Sequence, residues 1–97
     1  MELGDLTEKE IKQIQDIVDE AGRPLDVVGS AASGSRGERN EIDYVVGPSS
    51  IDYFKDLSQR LPAIDPHDGI IPGIHNPYLG PSLRFEPGKP PKYIPGN

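Results

Sequence analysis

Cysteine and tryptophan are missing from this 97-residue chain, and there is a single methionine. Without cysteine there is no disulfide framework, no thiolate zinc site, no iron–sulfur cluster and no cysteine nucleophile. No apolar run approaches the roughly 18 residues of a membrane-spanning helix, and no secretory leader pattern opens the chain, so no membrane partner is expected. Basic residues are few. Ten Lys+Arg stand against 16 Asp+Glu, a formal charge of −6. That excludes a uniformly basic nucleic-acid binder and leaves room only for a confined basic patch.

Apolar residues suffice for a core. Leu, Ile, Val and Phe number 24 of the 97 residues, above the roughly one-fifth level below which chains tend to stay disordered. The length allows one domain, residues 1–97. Its two parts differ. Residues 1–61 hold 13 acids and 7 bases, whereas residues 62–97 hold 3 of each and 9 of the 11 prolines. The first part reads as a helix-strand-turn-strand-helix core. The second reads as a Pro-rich wrap. Ile70, Ile71, Ile74, Leu79, Leu83 and Phe85 make that wrap too apolar for a solvated tail.

Thr7-x-x-Glu10 is a capping box, with Leu6 and Ile11 at the staple positions. Ile11, Ile14, Val18 and Ala21 recur on one helical face, and Gly22 and Pro24 stop the helix. Leu25–Val28 reads as a strand ending at Gly29, and Ile42–Val46 as a β-branched and aromatic strand ending at Gly47-Pro48. Ser49-x-x-Asp52 reads as a second capping box, opening a helix whose apolar face is Ile51, Phe54, Leu57 and Leu61 and which Pro62 closes. In the wrap, Ser82–Glu86 is the one expected strand. The expected fold is α+β: a small mixed sheet with flanking helices, the Pro-rich segment adding that one strand.

The stretch from Val28 to Tyr44 carries the chemistry. A strand runs into Gly29-Ser30, a small-residue turn follows, and the next strand begins with Glu41-Ile42-Asp43. Side chains alternate along a strand, so Glu41 and Asp43 project from one side and Tyr44 from the other. Two carboxylates at that spacing can share a hard divalent cation. Gly29 allows close backbone approach, and Ser30 offers a hydroxyl and an N–H to a phosphate oxygen. If the strands are neighbours, phosphate and metal sit side by side, as phosphoryl or nucleotidyl transfer requires.

These residues resemble the nucleotidyltransferase superfamily, the polymerase-β-like fold. Its signature is hydrophobic-Gly-Ser, a turn, then acid-hydrophobic-acid. Glu41 and Asp43 stand 12 and 14 residues after Gly29, the spacing of small members, and the Thr7–Ala21 helix sits where those members have one. The resemblance covers roughly residues 7–46. It implies a nucleoside triphosphate substrate held by Gly29 and Ser30, and Mg2+ held by Glu41 and Asp43. Glu41 replaces the more usual Asp and reaches one carbon further. Ala31 and Ala32 stand where small members often have an arginine, so Arg36, Arg39 or Arg84 would offset the triphosphate charge. Glu86 is the candidate for the superfamily's third acid.

The segments Ile64–Pro77 and Gly80–Gly88 are similar in texture to the C-terminal toxin domains of bacterial polymorphic toxins. That similarity implies a domain secreted as part of a larger bacterial protein. It would act in the target-cell cytoplasm on RNA, protein or a nucleotide, and a cognate immunity protein would block it. Three alternatives stand beside the transferase. His67 and His75 could serve as general acid and base of a metal-independent ribonuclease with Arg84 on the scissile phosphate, although loop histidines also simply make local hydrogen bonds. The chain could be an antitoxin of nucleotidyltransferase fold. It could also be a plain interaction module in which Glu41 and Asp43 are solvated acids flanking a hairpin loop. Arg84, Lys89 and Lys92, interleaved with Phe85 and Tyr93, suit a triphosphate or an RNA backbone, or the solvated face of an edge strand. Asp26 reads as an outward-facing polar residue.

Overall fold

The computed structural model describes residues 6–29, 32, 42–64, 69–73 and 80–94. Helix α1 spans Glu8–Ala21 and begins with the expected capping box. Thr7 Oγ1 accepts from the Glu10 N–H at 3.1 Å, and Glu10 Oε1 accepts from the Thr7 N–H at 3.0 Å. The helix ends at Gly22, whose φ of 68° is left-handed and whose N–H donates to the Val18 carbonyl. Leu6, Ile14, Ile17 and Val18 are buried, with Ile11 and Ala21 packed against them.

The strands are β1 (Leu25–Val28), β2 (Asp43–Val46), β3 (Ile70–Pro72), β4 (Ser82–Glu86) and β5 (Lys89–Ile94). They form one sheet in the order β3-β2-β1-β4-β5. Only β2 and β3 run parallel; the other neighbours are antiparallel. A short helix α2 (Ile51–Leu57) lies between β2 and β3. The architecture is a small α+β fold with a mixed sheet.

Strand alternation divides the sheet into two faces. Leu25, Val27, Tyr44, Val46, Leu83 and Phe85 share one, and all are buried. They form a core with Ile14, Ile17 and Val18 of α1 and with Phe54 of α2. Helix α1 lies against β4 and α2 against β3. The Tyr44 hydroxyl donates to the Pro62 carbonyl at 2.7 Å, which gives this buried ring's polar end a partner. The other face carries most of the polar side chains in cross-strand rows. One row is Asp43, Val28, Ser82 and Ile94; the next is Ile71, Val45, Asp26, Arg84 and Lys92.

Three local expectations are corrected. Among the described residues the Pro-rich part supplies three strands rather than one, since β3 and β5 join β4. Strand β5 runs through Pro90 and Pro91 and survives because it is an edge strand, where a missing N–H costs no ladder bond on the open side. The second capping box does not form. Pro48–Ser50 coils into a 3-10 turn, which puts Ser50 at the N-cap, where its Oγ makes no capping bond and instead accepts from Arg23 at 3.3 Å. Helix α2 ends at Leu57, well before Pro62; tight turns then carry the buried Leu61 into the core.

Candidate functional site

Strands β1 and β2 are antiparallel neighbours, with Val28 opposite Asp43. The chain leaves β1 through Gly29, whose φ of +74° is a left-handed conformation that side chains other than glycine's disfavour. The Gly29 carbonyl accepts from the Ala32 N–H at 3.1 Å, so the chain bends at once. This bend lies against the Asp43 carboxylate. A Cβ placed on Gly29 would stand 3.1 Å from Asp43 Oδ2, tighter than ordinary van der Waals contact. Gly29 and the half-buried Asp43 therefore meet at one end of the sheet, on the face opposite the core, while Tyr44 points into the core.

Ser30, Arg36, Arg39 and Glu41 lie outside the described residues, as do His67 and His75. Glu86 is described, and the structure does not bring it to Asp43. The β1–β4 register pairs Leu25 with Phe85, so Glu86 sits beyond the start of β1, at the opposite end of the sheet from Gly29. Two strand spacings and four residue rises separate it from Asp43, on the order of 15 Å. The position facing Val28 on β4, in Asp43's own row, is held by Ser82. Among the described residues no three His, Asp or Glu side chains converge as a metal cluster.

Arg84 is likewise placed away from Asp43. Its Nε lies 3.4 Å from Asp26 Oδ1 and 3.8 Å from Glu86 Oε1. Asp26 is the residue that sequence reasoning set aside. Alternation correctly turns it from the core, yet it is only 7% exposed. It occupies the central strand, between Val45 on β2 and Arg84 on β4. A carboxylate so placed needs a counter-charge, and Arg84 supplies it. Asp26 is also the diagonal neighbour of Asp43, about 7–8 Å away between backbones. A small cavity of about 130 Å³ lies beside it, between Arg84, Ser50 and Gly73.

The second feature of this face is a groove of about 640 Å³ along β4 and β5. Arg84, Lys89 and Lys92 line it with Glu86, and Pro90, Pro91 and Ile94 supply its apolar surface. Lys89 Nζ lies 3.5 Å from Glu86 Oε2 in an exposed ion pair, and Lys92 makes no ion pair among the described residues. In a chain of net charge −6, this is a local excess of positive charge.

Comparison with family models, curated proteins and solved structures finds no match to this chain.

Proposed function

We propose that the chain is a metal-dependent transferase that moves a nucleotidyl or pyrophosphoryl group from a nucleoside triphosphate to a hydroxyl. The observation that carries this reading is the contact of the Gly29 bend with the Asp43 carboxylate at the shared end of two neighbouring strands. The missing Cβ lets this backbone bend approach the carboxylate closely, the arrangement in which a phosphate tail would lie next to a carboxylate-held cation.

The chemistry fits a hard divalent ion such as Mg2+. Asp43 offers carboxylate oxygens, and Glu41, two residues earlier, is the proposed second carboxylate. When bound, the ion would offset charge developing on the phosphates. In nucleotidyl transfer, the acceptor oxygen attacks the α-phosphorus, the bond to the bridging oxygen breaks, and pyrophosphate leaves. In pyrophosphoryl transfer, attack falls on the β-phosphorus and the nucleoside monophosphate leaves. In both, the hydroxyl proton passes to a base, and one of the two carboxylates takes that role. Asp26 on β1 is the diagonal neighbour of Asp43, and Arg84 on β4 offsets the Asp26 charge. The texture of the Pro-rich part supports the further reading of a toxin domain with a cognate immunity protein.

The test uses triphosphates labelled at the α, the β or the γ phosphorus, incubated with the protein, Mg2+ and a cell extract. The expected result is label on one macromolecule or small nucleotide, lost with Asp43→Asn. The α label reports nucleotidyl transfer, and the γ label carried together with a β label reports pyrophosphoryl transfer. Absence of uptake, or uptake that persists in Asp43→Asn, overturns the reading.

A further inference from the structure

We infer that the β4–β5 groove binds the end of a single-stranded RNA. Only the description of that RNA as the acceptor rests on the transferase reading above. The groove's lining argues for a polyanion. Arg84 and Lys92 are cross-strand partners, and Lys89 pairs with Glu86 one row further along. The cations therefore sit at two successive rows, about 7 Å apart along the strands, instead of converging on a single point. Such a spacing suits adjacent phosphates of an extended chain better than one isolated anion.

The Arg84 guanidinium lies beside the Asp26 carboxylate, Nε 3.4 Å from Oδ1 without a hydrogen bond between those two atoms, and its planar fork matches a phosphate. The Lys89–Glu86 pair is exposed, with 71% of the lysine side chain accessible, so it resists displacement by a phosphate only weakly. Pro90, Pro91 and Ile94 give rigid apolar surface between the cations, where bases can lie without sequence-specific hydrogen bonds. The groove's Ile94 end belongs to the same cross-strand row as Asp43, with Ser82 and Val28 between them. An RNA strand leaving the groove at Ile94 lies three strands, about 14 Å, to the side of the Gly29–Asp43 corner and reaches it by turning across the sheet. Confinement to this one strip also reconciles RNA binding with an acidic chain.

The binding is measured by fluorescence anisotropy of a short labelled oligoribonucleotide on the full chain, in EDTA and without triphosphate. The expected result is salt-dependent binding that Lys89→Glu with Lys92→Glu weakens at least tenfold and that Lys55→Glu, on α2 outside the groove, leaves unchanged. Each lysine neutralises one phosphate, so the double change should flatten the slope of log K against log salt by about 1.4. Lys92→Ala alone, checked for an unchanged melting curve, should show an intermediate loss. Three outcomes overturn the inference: no binding at low salt, binding indifferent to the lysine changes, or an acidic peptide or mononucleotide competing as well as the RNA. Because neither metal nor triphosphate is present, failure here leaves the label-transfer result standing, and failure of label transfer leaves this one standing.

Discussion

At Gly29 two demands coincide on one backbone position. The left-handed φ of +74° costs an alanine about 1–2 kcal/mol, and its methyl would press on Asp43 Oδ2 from 3.1 Å. Gly29→Ala is therefore expected to lower unfolding free energy in urea by about 1–2 kcal/mol. It should also reduce label transfer by more than the unfolded fraction explains, since the carboxylate must shift. Unaltered transfer in a folded Gly29→Ala protein would show that the bend does not set the carboxylate's position. The sidedness of Asp43 and Tyr44 was legible from alternation alone, a purely local rule. The burial of Asp26 was not. It depends on β1 being central, which only the pairing with both β2 and β4 establishes.

At the scale of elements, α1 does more than cover the sheet. Asp19 Oδ1 accepts from the Gly88 N–H at 2.8 Å and from Gln15 Nε2 at 2.9 Å, and Gln15 Nε2 also donates to the Glu86 carbonyl. The helix thereby holds the β4–β5 turn. The Gly88 N–H, with Gln15 second, keeps the Asp19 carboxyl below the ordinary carboxylate range. Sparing a proton in the folded state, Asp19 stabilises the fold above its unfolded value near about 3.9. That contribution is lost as pH falls through the lowered folded value. Urea midpoints of wild type and Asp19→Asn should differ at about pH 7 and converge in strong acid, where the protonated carboxyl resembles the amide. The ends of α1, β1 and β4 were readable because caps, breakers and alternation lie within each segment. Strand β5 was not, because Pro90 and Pro91 argue against a strand until an edge position is known. The start of α2 was missed because Pro48 initiates a 3-10 turn and moves the cap from Ser49 to Ser50.

At the scale of the whole molecule, a chain of this length has about 5–15 kcal/mol of stability. One core residue is a large share of that. Phe85 is fully buried on β4, between β1 and β5 and beneath α1. Phe85→Ala is expected to cost about 3–5 kcal/mol, read as a fall in the urea midpoint, and to leave the protein marginal. A loss under about 1 kcal/mol, by contrast, would mean that the sheet's centre does not depend on β4.

The same strand order governs how the chain can assemble. Strand β1 is made well before β4, and one of its two edges stays bare until residues 82–86 arrive. A nascent or clipped chain lacking them offers that edge, with its unpaired amides, to any other extended segment nearby. Residues 82–86 thus act as a built-in chaperone for the middle of the sheet, which closes only once they have been made.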